Sequence, residues 1–192
     1  MRKLIGGMAA VAVLITVPAL ADGQRRPAPR PAGGAKHEFG VDVGLGYYDP
    51  DGGQAGFVIA SPLDIRVGFV SAKKLQWEGR LVFQIDSKGV GTGQGIHNIS
   101  PGVNAVYAMT PGGNRNGMYL TGGAGLNLRD IGVASGTGFS LNGAVGWRKP
   151  YGNSAFRYEV GIKWDSQIKD NGVVFFPRIL TIGGRVGISF WH

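Results

Sequence analysis

Acid–base and nucleophilic chemistry has few carriers in this 192-residue chain. The histidines are His37, His97 and His192, and no two share a metal-ligand spacing. Cysteine is absent, which removes disulfides, thiolate zinc sites and cysteine nucleophiles. The sharpest candidate is the run IHNISPGVN, in which a couple of His97 and Ser100 at a strand or loop end could hydrolyse an acyl ester. In an extended strand, however, positions 97 and 100 fall on opposite faces, and no carboxylate stands beside His97 to orient it. The glycine-rich GVGTGQG offers a superficial phosphate cradle, but no helix follows it and no Lys-Ser/Thr ends it. The sequence therefore assigns no catalytic, cofactor-binding or metal-binding residue.

The charges are more informative. Arg66, Arg80, Arg129, Arg148, Arg157, Lys163 and Arg185, with Glu38, Asp42, Asp64, Glu78, Asp86, Glu159 and Asp165, all fall on alternate positions of segments whose other positions are apolar. In EFGVDVGLGYY, residues 38–48, Phe39, Val41, Val43, Leu45 and Tyr47 alternate with charged or tiny residues. That is the period-two pattern of a strand with one apolar face. The pattern recurs at 57–70, 75–86, about 96–109, 118–129, 138–148, 156–165 and about 178–191. Pro62 inside the second run predicts a bulge or an irregular strand start. Eight such segments, joined by alternating tight turns (SAKK, TPGGNRN, KPYGNS) and longer connections (DSKGVGTGQG, SQIKDNG), predict an all-β fold. The expected architecture is an eight-stranded antiparallel up-and-down transmembrane β-barrel over residues 37–192. Its lumen is only about wide enough for side chains, so the charges are expected to form a paired, space-filling network rather than line a channel.

Ahead of the barrel, Arg2 and Lys3, the apolar MAAVAVLITV and the small-residue PALA have the layout of a secretory signal peptide, residues 1–21, cleaved after Ala21. Residues 22–36, DGQRRPAPRPAGGAK, read as a flexible Pro/Arg-rich linker. The formal charge is +8, or +6 once Arg2 and Lys3 are removed, and an exported chain points that charge toward anionic lipid headgroups or solubility, not nucleic acid.

Periodicity alone leaves open a soluble, ligand-binding periplasmic barrel with its apolar face inward. Three features favour lipid on that face. The polar parity is rich in glycine, including Gly40, Gly68, Gly146 and Gly187, as a narrow barrel interior that mixes small and large residues requires. Bulky aromatics on the apolar parity sit near strand ends, at Tyr47, Phe57, Phe69, Trp77, Tyr107, Trp147, Phe156 and Trp164, as two interfacial girdles would. The last strand carries Val186, Ile188 and Phe190 in alternation up to the end of the chain.

With its signal peptide, eight-strand pattern, segments such as SPLDIRVGFVSAKKLQWEGRL and MYLTGGAGLNL, and aromatic-ended final strand, the chain resembles the small OmpA/OmpX-like outer-membrane β-barrels of Gram-negative bacteria. The resemblance implies a place in the outer membrane among lipids including lipopolysaccharide. It also implies delivery by periplasmic chaperones and insertion by the barrel-assembly machinery through Val186, Ile188 and Phe190. It implies no cofactor and names no surface ligand. Members of that family include structural barrels, adhesion or defence factors and a few lipid-modifying enzymes. The run around His97 is similar to that of outer-membrane lipid A deacylases, which carry His-x-Ser-Asn followed by N-P-G-x-N, but here Ser100 is displaced by one position. The expectation is a non-enzymatic membrane-structural or surface-interaction protein, with a lipid A or phospholipid acyl hydrolase as the alternative.

Overall fold

A computed structural model describes residues 37–53, 55–59, 63–86, 96–110, 115–130, 135–170 and 173–191. The expected signal peptide (1–21) and linker (22–36) lie outside them. The side chains of Asp86 and His97 are likewise outside the description, although both residues belong to strands.

The alternating segments form β1 (His37–Pro50), β2 (Gly56–Ile59), β3 (Leu63–Ala72), β4 (Leu75–Asp86), β5 (Ile96–Ala108), β6 (Gly117–Asp130), β7 (Ser135–Tyr151), β8 (Ser154–Asp165) and β11 (Ile179–Trp191). Each pairs antiparallel with its sequence neighbour, apart from the interrupted stave described below, and β1 pairs with β11 from Glu38 opposite Trp191 to Pro50 opposite Ile179. That last pairing closes the sheet. Both β2 and β3 pair with β1, so together they make one stave and the barrel has eight. Closure satisfies the backbone ladder without a free edge, which is what permits strands to cross hydrocarbon.

The second stave changes register between β2 and β3. Asp42 faces Asp64 but Leu45 faces Ile59, so two more residues are spent on this stave than on β1 over the same length. Residues 60–62 themselves lie outside the description. The bulge or irregular start expected at Pro62 falls on those residues and so lies outside the description. Two other connections differ from the sequence reading. TPGGNRN is not a tight turn: strand pairing resumes only at Gly117, with Met109 N–H donating to Met118 O and Thr110 Oγ1 to Asn116 O. The long connection after β8 is not a plain loop either, for it contains a two-stranded hairpin, β9 (Ile168–Asp170) with β10 (Val173–Phe176).

The two faces of the sheet are partitioned opposite to a soluble protein. Arg66, Arg148, Arg157, Glu38, Glu78 and Asp42 are nearly fully buried, whereas Val103, Ile162 and Leu141 stand half exposed on the outer surface. Water does not drive such an arrangement, and lipid does. The soluble, inward-apolar alternative is thereby corrected: the apolar parity is the outer one.

Glycines on the inner wall make the charged interior possible. A Cβ at Gly40 would collide with the Arg66 guanidinium, and one at Gly146 would fall on the Tyr119 phenol ring. By contrast, a Cβ at the outward-facing Gly79 would meet only the Val67 carbonyl oxygen, at 3.8 Å. In urea unfolding from detergent micelles, Gly146→Ala is therefore expected to destabilise the barrel by about 1–3 kcal/mol through overpacking. Gly79→Ala should stay within about 0.5 kcal/mol of the parent; equal effects would show that the inner wall is not tightly filled.

Candidate functional site

Strand register sorts the lumen into two levels. One rim carries the ends of the described chain, His37 and Trp191, with the turns after β3, β5 and β7; the other carries the longer connections. The half nearer the terminal rim holds the dense cluster. Arg66, from β3, grips Asp42 of β1 with two parallel hydrogen bonds, Nε–Oδ2 at 2.5 Å and Nη2–Oδ1 at 2.9 Å. It also reaches Glu38 at 3.0 Å and Ser189 Oγ at 3.3 Å. Glu38 accepts further bonds from Arg148 Nη2, at 2.8 Å, and from the Gln76 amide. Arg157, from β8, bonds Glu78 at 2.5 Å, Glu159, and the Tyr119 hydroxyl oxygen, while that hydroxyl donates to Glu159 at 2.9 Å. The guanidinium carbons of Arg148 and Arg157 lie 4.8 and 4.9 Å from the centroid of the Tyr119 ring, within cation–π range.

Moving away from the terminal rim, Arg80 pairs with Asp64, and Arg185 bridges Asp64 at 3.5 Å and Glu159 at 2.7 Å. The connected cluster thus contains five arginines (66, 80, 148, 157, 185) and five carboxylates (38, 42, 64, 78, 159). Its formal charge is zero. A second group sits higher, where Asp165 takes Arg129 at 2.8 Å, Lys163 at 2.9 Å and the Asn127 amide at 2.7 Å. Beside it the lumen opens into a cavity of about 300 Å³.

Thirteen of the fourteen charges marked on the polar parity therefore meet in ion pairs inside the barrel, the Asp86 side chain being outside the description. Sequence reasoning passed over Tyr119 and Gln76, which are buried among them. Their parity was the available signal, since Tyr119 stands between the outward Met118 and Leu120. Of the aromatics marked for the girdles, Phe69, Trp77, Tyr107, Trp147 and Phe156 lie toward the terminal rim, and Tyr47, Phe57 and Trp164 toward the far one. Phe139 and Tyr151 join them by ring contact, 5.3 Å from Trp164 and 5.7 Å from Phe156. Val186, Ile188 and Phe190 face Val43, Val41 and Phe39 across the closing seam. Ser100 is buried in the lumen, donating to Asn127 at 2.7 Å, while its neighbour Ile99 faces out.

No protein-family model and no curated protein sequence matches the chain. Solved structures do. Neisserial surface protein A aligns over 81% of this chain and 97% of its own, with a TM-score of 0.52 at 16% identity. This chain has the fold of the small outer-membrane β-barrels. Ail, the attachment invasion locus protein of Yersinia pestis, in its complex with the heparin analogue sucrose octasulfate, aligns over 82% of this chain and all of its own, with a TM-score of 0.50 at 10% identity. At such identities the likeness is one of fold, and the lumen has to be understood from its own residues.

In these barrels a buried ion pair stabilises only while both partners remain, because an orphaned charge keeps its full desolvation cost. Glu78→Ala, which strips a carboxylate from Arg157 and Arg66, and Arg80→Ala are each expected to lower stability by about 3–5 kcal/mol in urea titrations. Asp51→Ala, at an ion pair exposed on both sides, and Lys169→Ala, on the exposed hairpin, should shift it by less than about 1 kcal/mol.

Proposed function

We propose that this chain is a non-enzymatic barrel of the bacterial outer membrane with a membrane-structural or surface-interaction role, its lumen closed by the charged network. In this reading the peptide 1–21 directs export, and outer-membrane lipids including lipopolysaccharide surround the apolar face. Periplasmic chaperones and the barrel-assembly machinery handle the unfolded strands, the latter through Val186, Ile188 and Phe190. The terminal rim faces the periplasm.

The observation that carries the proposal is the neutral five-by-five cluster of arginines and carboxylates crossing the lumen between β1, β3, β4, β7, β8 and β11. A pore needs mobile water along its length, and here the narrow interior of eight strands is occupied by side chains held on several partners each. A hydrolase reading draws less support. Ser100 is engaged with Asn98 and Asn127 inside the lumen, away from any lipid ester outside the wall.

Planar-bilayer recording of purified protein, checked for folding by the change in gel mobility on heating, tests this. Folded protein is expected to insert without producing large, steady channels. Such channels, or recovery of the mature protein in the buffer-soluble fraction of cells, would overturn the proposal.

A further inference from the structure

The cavity of about 300 Å³ lies at the far end of the lumen, above the neutral cluster, and its walls are unlike the layer beneath. Much of the wall is backbone or apolar surface: Gly44, Gly102, Gly161 and Gly183 contribute bare main chain, and Val82 and Ile179 contribute aliphatic surface. The hairpin β9–β10 folds over the mouth. Its Ile168 is buried against the inner wall at Gly136 and Gly138, and its Phe176, also buried, stacks 5.7 Å from the Arg129 guanidinium. Phe175, Phe176 and Pro177 all line the space.

Among the described residues the charge here does not balance, the side chain of Asp86 at the same end lying outside them. Arg80 and Arg185 belong to the neutral cluster below, leaving Arg129, Lys163 and Asp165 as a separate group of two cations on one carboxylate. All three line the cavity. The Arg129 and Asp165 side chains are nearly inaccessible, and Lys163 is about a third exposed, on the open side. Two cations on a single described carboxylate, in a confined space of reduced dielectric, favour an anion there. A guanidinium presents a planar fork that matches a carboxylate, and the ammonium supplies a second, adaptable donor. The aromatic cover and aliphatic walls suit a compact apolar body attached to that carboxylate.

We infer that the far half of the lumen is a binding site for small monocarboxylates with an aromatic or compact apolar body, held by Arg129 and Lys163 beneath Phe176. The site depends on the lumen alone, whichever rim faces the cell exterior, so its failure would leave the proposed role in the membrane standing.

Benzoate is the probe, titrated by NMR into folded protein in detergent micelles, with neutral benzamide and cationic benzylamine as comparators. Benzoate is expected to bind saturably and at least tenfold more tightly than either comparator. Arg129→Gln and Lys163→Gln should each weaken benzoate at least about tenfold, and the double variant should reduce it to the level of benzamide. Both singles leave Asp165 with one cation, so heat-modifiable gel mobility is expected to match the parent. Phe176→Ala, which removes no charge, should weaken benzoate and benzamide alike. Lys169→Gln, on the exposed hairpin, should leave affinity unchanged. No saturable benzoate binding, equal affinity for benzamide, or indifference of affinity to both Arg129 and Lys163 would overturn the site.

Discussion

A guanidinium sealed inside an eight-stranded barrel has no bulk water to turn to, and its charge is supported only by what the surrounding strands supply. Arg66, Arg148 and Arg157 are in that position, each almost wholly inaccessible. The partners come largely from strands far apart in sequence: Glu38 and Asp42 from β1 and Glu78 from β4. Pairing them requires the sheet to close with β1 against β11 in one register, because a one-residue slip would send every carboxylate of a strand out into lipid. The ion-pair cluster and the closure of the barrel are thus two aspects of a single constraint.

The same constraint explains the glycine-rich inner wall and the division of the lumen. Long side chains can lie flat across the interior only where the facing wall lacks a Cβ, as Arg66 does over Gly40 and Tyr119 over Gly146. Where glycines and short polar side chains make up much of the wall, at the far end, the lumen is left open instead of filled. One half of the interior is neutral and packed, and the other is hollow with, among the described residues, a surplus cation. The first property opposes conduction and the second favours retention of a small anion, and both follow from where long side chains are placed along otherwise similar strands.

Much of this was legible in the sequence because a half-buried strand writes its two faces at alternate positions. Eight alternating runs and the polarity of their two parities were enough for the barrel and for the inward set of charges, and the glycines of the polar parity indicated which face was the inner one. Less could be read where alternation breaks. The two-residue offset between β2 and β3 is a matter of register, which local pattern does not resolve. The β9–β10 hairpin was hidden because SQIKDNG is polar and its strands are three and four residues long. The identity of most ion pairs was also out of reach, since parity says that Arg157 points inward but only the three-dimensional register brings it to Glu78.

The central claim is that the apolar parity faces lipid and the charged parity faces the lumen, and the absence of native cysteine makes it directly testable. Single cysteines introduced in turn at Val103, Leu141 and Ile162, and at the inward Asn104, Asn142 and Ser140, can carry a nitroxide for collision measurements in reconstituted bilayers. Labels at the first three positions are expected to collide freely with lipid-soluble oxygen and to be shielded from a water-soluble nickel chelate. Labels at the other three should lose the oxygen collisions. High oxygen accessibility on the charged parity, or chelate accessibility across the apolar one, would contradict the account.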